Sequence, residues 1–271
     1  MVATTSNEQL KTKQTSTVQW LAVSAVATDP QVNTRSLDTN WVDARVPSFD
    51  LAKLGVPEVS KRKDGTYIWL DGQHRAELVR RAGWPSQEIQ CRVHTGLTLA
   101  EEALLFLGLN GGRQVTALAK FLARRTAQDP DAVGIDAIVR AAGWHIATGT
   151  TTKSITAVSA LEKAYNATEK QPGKALAKAL RVVTEAWGYA PEAVNGDILL
   201  GVSLLLAQHD RIDIASLIHK LADYTGGPRG LHGTAKGLRP FLGGTTANCV
   251  AATLVKAYNT KRTTGALPDW R

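Results

Sequence analysis

The feature that most constrains this chain is a change of hydrophobic period near residue 97. Upstream, "SQEIQCRVH" puts Ile89, Cys91 and Val93 on one face at period two, the signature of a half-buried strand. Downstream, "TLAEEALLFLGLN" opens with Thr98 as N-cap and Glu101 three residues on, a capping box that starts a helix. From there apolar residues recur at three and four. They do so through "VTALAKFLARRTA", "GIDAIVRAAGW", "ITAVSALEKAYNA", "KALAKALRVVTEAW", "GDILLGVSLLLAQH", "ASLIHKLADY" and "TANCVAATLVKAYNTKR". A chain that pairs strands first and winds helices afterwards is expected to be α+β, a small mixed-sheet domain followed by an all-helical one.

Within the first part, "VQWLAVSAVA" reads as a strand, and "VPEVSKR" and "TYIWLDG" read as a hairpin pair joined at "KDG". "VPSFDLAKLG" reads as a short helix closed by Gly55. The expected boundaries are a disordered polar leader over 1–16, a sheet domain over 17–115 and a helical domain over 116–271. No apolar run approaches the roughly 20 residues of a membrane span, so no membrane partner is expected. The leader lacks the apolar core of a signal peptide, and the two cysteines, Cys91 and Cys249, stand apart in apolar contexts. Both point to a cytoplasmic setting with buried thiols. Cys91 and His94 have a spacing that metals use, but no second pair completes a site.

The net charge is +8. It is concentrated at the end: eight Lys and Arg from Ser216 to Arg271 stand against Asp223 and Asp269. A basic C-terminal region fits a polyanion, and DNA is the partner expected of it. A solvated basic surface is the alternative. The candidate DNA contacts are Lys153, Lys236, Arg239, Lys261 and Arg262. A helix-turn-helix is conceivable over about 135–165, with Lys153 on a phosphate and Ser154 as cap of the second helix. Two packed helices of a bundle are the competing reading.

The chemistry-bearing stretch is "WLDGQHRAELVRRAGW", residues 69–84. A strand is expected to end at Leu70 and a helix to begin near His74. Gly72 lets the backbone approach a ligand, the first-turn amides carry the positive end of the helix dipole, and Arg75 and His74 add donors. Those are the ingredients of a phosphate site. A plain helix entrance, with Asp71 as cap and Gln73, His74 and Arg75 in water, is the alternative. A second cluster, "LGLNGGRQVT", offers Asn110, an anion nest at Gly111–Gly112 and Arg113. Arg35 in "NTRSLD" adds a third arginine.

The order of these features resembles the ParB/sulfiredoxin-like superfamily, and within it proteins with a DGQHR box. The resemblance runs from the first strand through Thr34–Arg35, "DGQHRAELVRRAGW" and "IQCRV" to Asn110 and Arg113, over roughly residues 18–120. It implies a nucleotide- or phosphate-binding fold in which Arg35, Gly72, Gln73, His74, Arg75, Asn110, Gly111, Gly112 and Arg113 surround the ligand. The implied cofactor is a nucleoside triphosphate, CTP or ATP, with Mg²⁺. Gln73 stands where sulfiredoxins carry a reactive Cys, so sulfur chemistry is not implied. Gln73-His74 and Leu109 depart from the partition proteins' Glu-Arg and Glu, which leaves CTP specificity open. A nuclease, NTPase or phosphotransferase of the same fold is the enzymatic alternative, with Asp71, Glu101 and Glu102 as the carboxylates at hand. A plain DNA-binding regulator, in which the box is structural, is the other. The resemblance is also compatible with a homodimer, and it leaves any metal site unspecified.

Overall fold

The computed structural model describes residues 15–110, 115–149 and 151–270. Two compact units divide the chain, Met1–Asp129 and Pro130–Arg271. Most of the expected leader lies outside the described residues, and its last two positions, Thr15 and Ser16, belong to the first strand.

The first unit is built on five strands: β1 (Thr15–Ala22), β2 (Val26–Ala27), β3 (Glu58–Lys61), β4 (Tyr67–Asp71) and β5 (Glu88–Thr95). Their order is β1-β5-β3-β4-β2. β1/β5 and β3/β4 are antiparallel, whereas β3/β5 and β2/β4 are parallel, so the sheet is mixed as expected. Helices α1 (Thr39–Asp43), α2 (Gln73–Arg81), α3 (Leu99–Leu109) and α4 (Ala117–Thr126) complete the unit.

Strand alternation sets the two faces. Val59, Trp69, Cys91 and Val93 pack with Ala76 and Val79 of α2. Leu70, on the opposite face, packs with Val32, Phe106 of α3 and Ala123 of α4. Ala123 belongs to this cluster and α4 to the first unit, so the two units divide after Asp129, some fourteen residues beyond the expected 115/116. The stretch "VPSFDLAKLG" forms two 3₁₀ turns, Val46–Ser48 and Leu51–Lys53, in place of one helix. Pro47 lies inside the first turn and Asp50 caps the second through the Ala52 amide, which splits the segment.

The second unit holds α5 (Pro130–Ala141), β6 (His145–Ile146), β7 (Ser154–Ile155), α6 (Val158–Tyr165), α7 (Lys174–Trp187), α8 (Gly196–Gln208), α9 (Ile214–Ala222), α10 (Gly227–Leu242) and α11 (Thr246–Asn259). Helix α8 is its centre: Ile198, Leu199, Val202, Leu205 and Leu206 are all buried, and α6, α7 and α11 pack on it. Gly201 permits a close approach, since a Cβ there would stand 2.6 Å from the Ala247 carbonyl of α11. Helix α10 was not legible as a helix: its sequence, GPRGLHGTAKGLRPFL, carries four glycines and two prolines.

The expected helix-turn-helix over 135–165 takes another form. Between α5 and α6 the chain makes a parallel bridge of β6 with β7, His145 facing Ser154 and Ile146 facing Ile155. A connection of that kind is unlike the short turn of the motif. Ser154 is not a helix cap: its hydroxyl donates to the Gly149 carbonyl, and α6 begins after Ala157 with no side-chain cap. Trp144 anchors the connection, buried, with its indole N–H donating to Thr184 Oγ1 at 2.8 Å. No described helix is long and apolar enough to cross a membrane.

Candidate ligand-binding site

A cavity of about 750 Å³ opens at the junction of β4 and α2. Its size falls in the range of small-molecule sites, roughly 300–1,000 Å³. Arg35, Trp41, Arg45, Phe49, Lys53, the run Asp71–Arg75, Phe106 and Asn110 all line it, with Asn33.

Gly72 is the pivot. It is the N-cap of α2 at φ 110°, ψ 5°, and a Cβ there would stand 2.7 Å from Pro57 Cβ. Only glycine fits both the space and the backbone angle. Having no side chain, it makes no cap bond, and the first turn of α2 holds no acidic residue. The positive end of the helix is therefore left without the usual carboxylate.

The next residues have specific duties. The Gln73 amide donates from Nε2 to the Arg35 carbonyl at 2.7 Å. The Asp38 amide donates to His74 Nε2 at 3.0 Å, so this ring nitrogen is an unprotonated acceptor. Both side chains are buried, and both hold the backbone of the 35–38 loop against the entrance of α2. Arg75 donates to the Leu54 carbonyl at 3.0 Å and pairs with Asp71 at 2.8 Å. Its Nε is buried and has no hydrogen-bond partner among the described residues, and the same holds for Asn33 Oδ1. The box thus works as a brace: it fixes a loop at one side and the 51–54 turn at the other. Asp71, offered as a catalytic carboxylate, lines the cavity as an ion-paired group.

Electrostatically the cavity is cationic. Lys53 has Asp50 at 3.4 Å and Arg75 has Asp71. Arg45 lies over the Trp41 ring, 4.1 Å from its centroid, and Trp41 meets the His74 ring edge-on at 5.7 Å. Among the described residues the Arg35 guanidinium has no hydrogen-bond or ion-pair partner. Two cations thus remain without a carboxylate, beside the aromatic walls Trp41 and Phe49.

Glu101 and Glu102 do not reach this cavity. Glu101 Oε2 accepts from the Thr98 amide and hydroxyl, closing the capping box. Glu102 is fully buried; it accepts from Ser60 Oγ at 2.6 Å and pairs with Arg62 at 2.6 Å. Arg62 also binds Asp29 at 2.7 Å, and the Glu102 bond above all raises its pKa, keeping it charged. Asn110 is buried at the cavity wall, its amide donating to the Phe106 carbonyl. Gly111, Gly112 and Arg113 lie outside the described residues. Sequence reasoning missed Asn33, Trp41, Arg45 and Phe49. The Trp41–Arg45 spacing of four, after a helix cap at Asp38, was the signal available for two of them.

The remaining thiol and metal options have structural explanations. Burial pushes the Cys91 thiol up to about 11. His94 is hydrogen-bonded to Glu58 at 2.6 Å, beside the Arg92–Glu58 pair. Of the expected DNA contacts, Arg262 lies over the Tyr258 ring and donates to Ser216 Oγ, and Lys153 lies over the Tyr189 ring. Lys236, Arg239 and Lys261 are exposed.

No curated protein matches the chain. Among solved structures, the N-domain of a pNOB8-like ParB is similar at 13% identity with a TM-score of 0.42, covering 93% of this chain and 97% of that one. The C2221 form of a pNOB8-like ParB N domain is similar at 12% identity and a TM-score of 0.39, covering 80% of this chain and 93% of that one. A family model matches residues 30–269 and so runs through both units. The chain belongs to this family, described as a family of unknown function, DUF6551.

Proposed function

We propose that the sheet unit binds a phosphate-bearing ligand with a planar ring, a nucleoside triphosphate in the first instance, in the cavity at the β4–α2 junction. The observation that carries this reading is the Arg35 guanidinium. It lines the cavity with no partner among the described residues, while its own carbonyl is held by Gln73 beside the uncapped start of α2. Trp41 and Phe49 supply faces for a ring, and the buried Asn33 Oδ1 supplies an acceptor for a ligand donor. The Asp71 carboxylate is engaged by Arg75 at 2.8 Å, so the reading is one of binding and not of hydrolysis. In the same reading the basic helical unit contacts DNA, supported by the charge excess of its C-terminal part.

Calorimetric titration of the full chain with CTP, ATP, GTP and tripolyphosphate, with and without Mg²⁺, tests the site. At least one nucleotide binds, and Arg35→Ala weakens it about tenfold or more, the worth of a charged hydrogen bond of roughly 1.5–3 kcal/mol. Absence of binding by all four ligands, or an Arg35→Ala affinity equal to wild type, overturns the reading.

A further inference from the structure

From Tyr224 to Pro268 the chain contains no Asp or Glu, but six Lys and Arg. This stretch includes the whole α10–α11 hairpin. At its tip stand Phe241, 85% exposed, and Leu242, 54% exposed. A bulky apolar pair left in water costs free energy, and here it sits in a stretch of chain without acids, the carboxylates that meet α10, Glu192 at Arg229 and Asp197 at His232, lying towards its other end. Lys236 and Arg239 are exposed on the same helix, and among the described residues neither has a carboxylate partner. Arg239 Nε donates to the Gly244 carbonyl at 3.3 Å, which holds that guanidinium at the tip. Gly233 and Gly237, four residues apart, would meet nothing within 4 Å if they carried a Cβ. Packing within the unit therefore does not require glycine there, although each costs about 1 kcal/mol against Ala in a helix.

We infer that the α10–α11 tip is a docking surface for duplex DNA. Lys236 and Arg239 meet phosphates, and Phe241 enters the groove between them. Charge complementarity selects this occupant: cations without acids suit a polyanion, and affinity for DNA comes mainly from phosphate contacts. An apolar side chain beside such cations is the arrangement with which groove binders wedge against base steps. The glycine strip leaves the helix backbone open to close approach. An anionic membrane fits less well, because Leu231 and Ala235 bury the apolar side of α10 within the unit and leave only the tip pair for lipid. This inference rests on the DNA half of the function proposed above.

The test is fluorescence anisotropy of a labelled duplex of about 20 base pairs, titrated with the full chain over a range of salt. In Lys236→Ala/Arg239→Ala the slope of log affinity against log salt falls by about 2, and affinity falls about tenfold or more. In Phe241→Ser affinity falls severalfold with the slope unchanged. All three positions are exposed, so both variants keep the wild-type melting temperature. If wild type binds and the tip variants bind equally well, this inference is overturned and the DNA reading stands. If wild type binds no duplex, both fall. Binding of phosphatidylserine vesicles that is lost in Phe241→Ser, with duplex binding intact, also overturns it.

Discussion

Glu102→Gln separates support of the fold from ligand binding. The Glu102 carboxylate is fully buried, takes the Ser60 hydroxyl at 2.6 Å and the Arg62 guanidinium at 2.6 Å, and lines no part of the cavity at the β4–α2 junction. Removing one partner of a buried ion pair costs about 3–5 kcal/mol. Two features reduce that here. Arg62 is about a quarter exposed and keeps Asp29 at 2.7 Å, and the new amide still accepts from Ser60. The expected loss is therefore about 2–3 kcal/mol, since a charged hydrogen bond is exchanged for a neutral one. With a urea slope near 2 kcal/mol/M, the unfolding midpoint of the sheet unit moves down by roughly 1–1.5 M. Tryptophan fluorescence reports it, because Trp69 is buried in that unit. Nucleotide affinity, measured well below the transition, stays at the wild-type value. Refutation has two distinct forms. A midpoint within error of wild type removes the buried pair as a source of stability. A fully stable Glu102→Gln that no longer binds ligand puts Glu102 back in the site.

Gln73→Glu sets a carboxylate against the Arg35 carbonyl and removes the 2.7 Å bond. Ligand affinity drops severalfold with a stability loss of about 1–3 kcal/mol, and an unchanged affinity by calorimetry contradicts the brace. Gly72→Ala forces a Cβ to 2.7 Å from Pro57 at φ 110°, and costs about 2–4 kcal/mol of strain and overlap in urea melts. The Cys91 thiol is raised from an ordinary 9.0 to about 11 by burial. A raised thiol favours the folded state fully below pH 9, and that contribution is lost as pH climbs towards 11. In line with this, Cys91 resists iodoacetamide at pH 8 until urea unfolds the unit; rapid labelling of the native protein refutes its burial.

Elements with one strong local signal were legible in the sequence. Alternation at Ile89, Cys91 and Val93 placed β5, and the Thr98–Glu101 spacing placed the start of α3. The β3–β4 hairpin was legible from "KDG". What escaped depended on contacts distant in sequence. Helix α10 is held by Leu231 and Ala235 packing into the unit, which overrides its glycine content. The domain boundary depended on Ala123 touching a cluster around Leu70. Of the adjacent Glu101 and Glu102, the capping-box spacing singles out Glu101 in the string, and only the third dimension gives Glu102 its ion pair with Arg62. The cavity was legible at its floor, Asp71 to Arg75. Its wall was not, because Trp41 stands on the five-residue helix α1 and Phe49 closes a single 3₁₀ turn, both too short to show a period.

The brace made by Gln73 and His74 grips backbone atoms, the Arg35 carbonyl and the Asp38 amide. Every amino acid presents that carbonyl, and all but proline present that amide. The two bonds therefore do not depend on which side chains the 35–38 loop displays. Substitutions at Arg35, Ser36 and Leu37 can alter what the cavity selects while the loop keeps its place. Ligand preference and loop position are thus separable traits in this chain, and family members sharing the brace are free to diverge in what they bind.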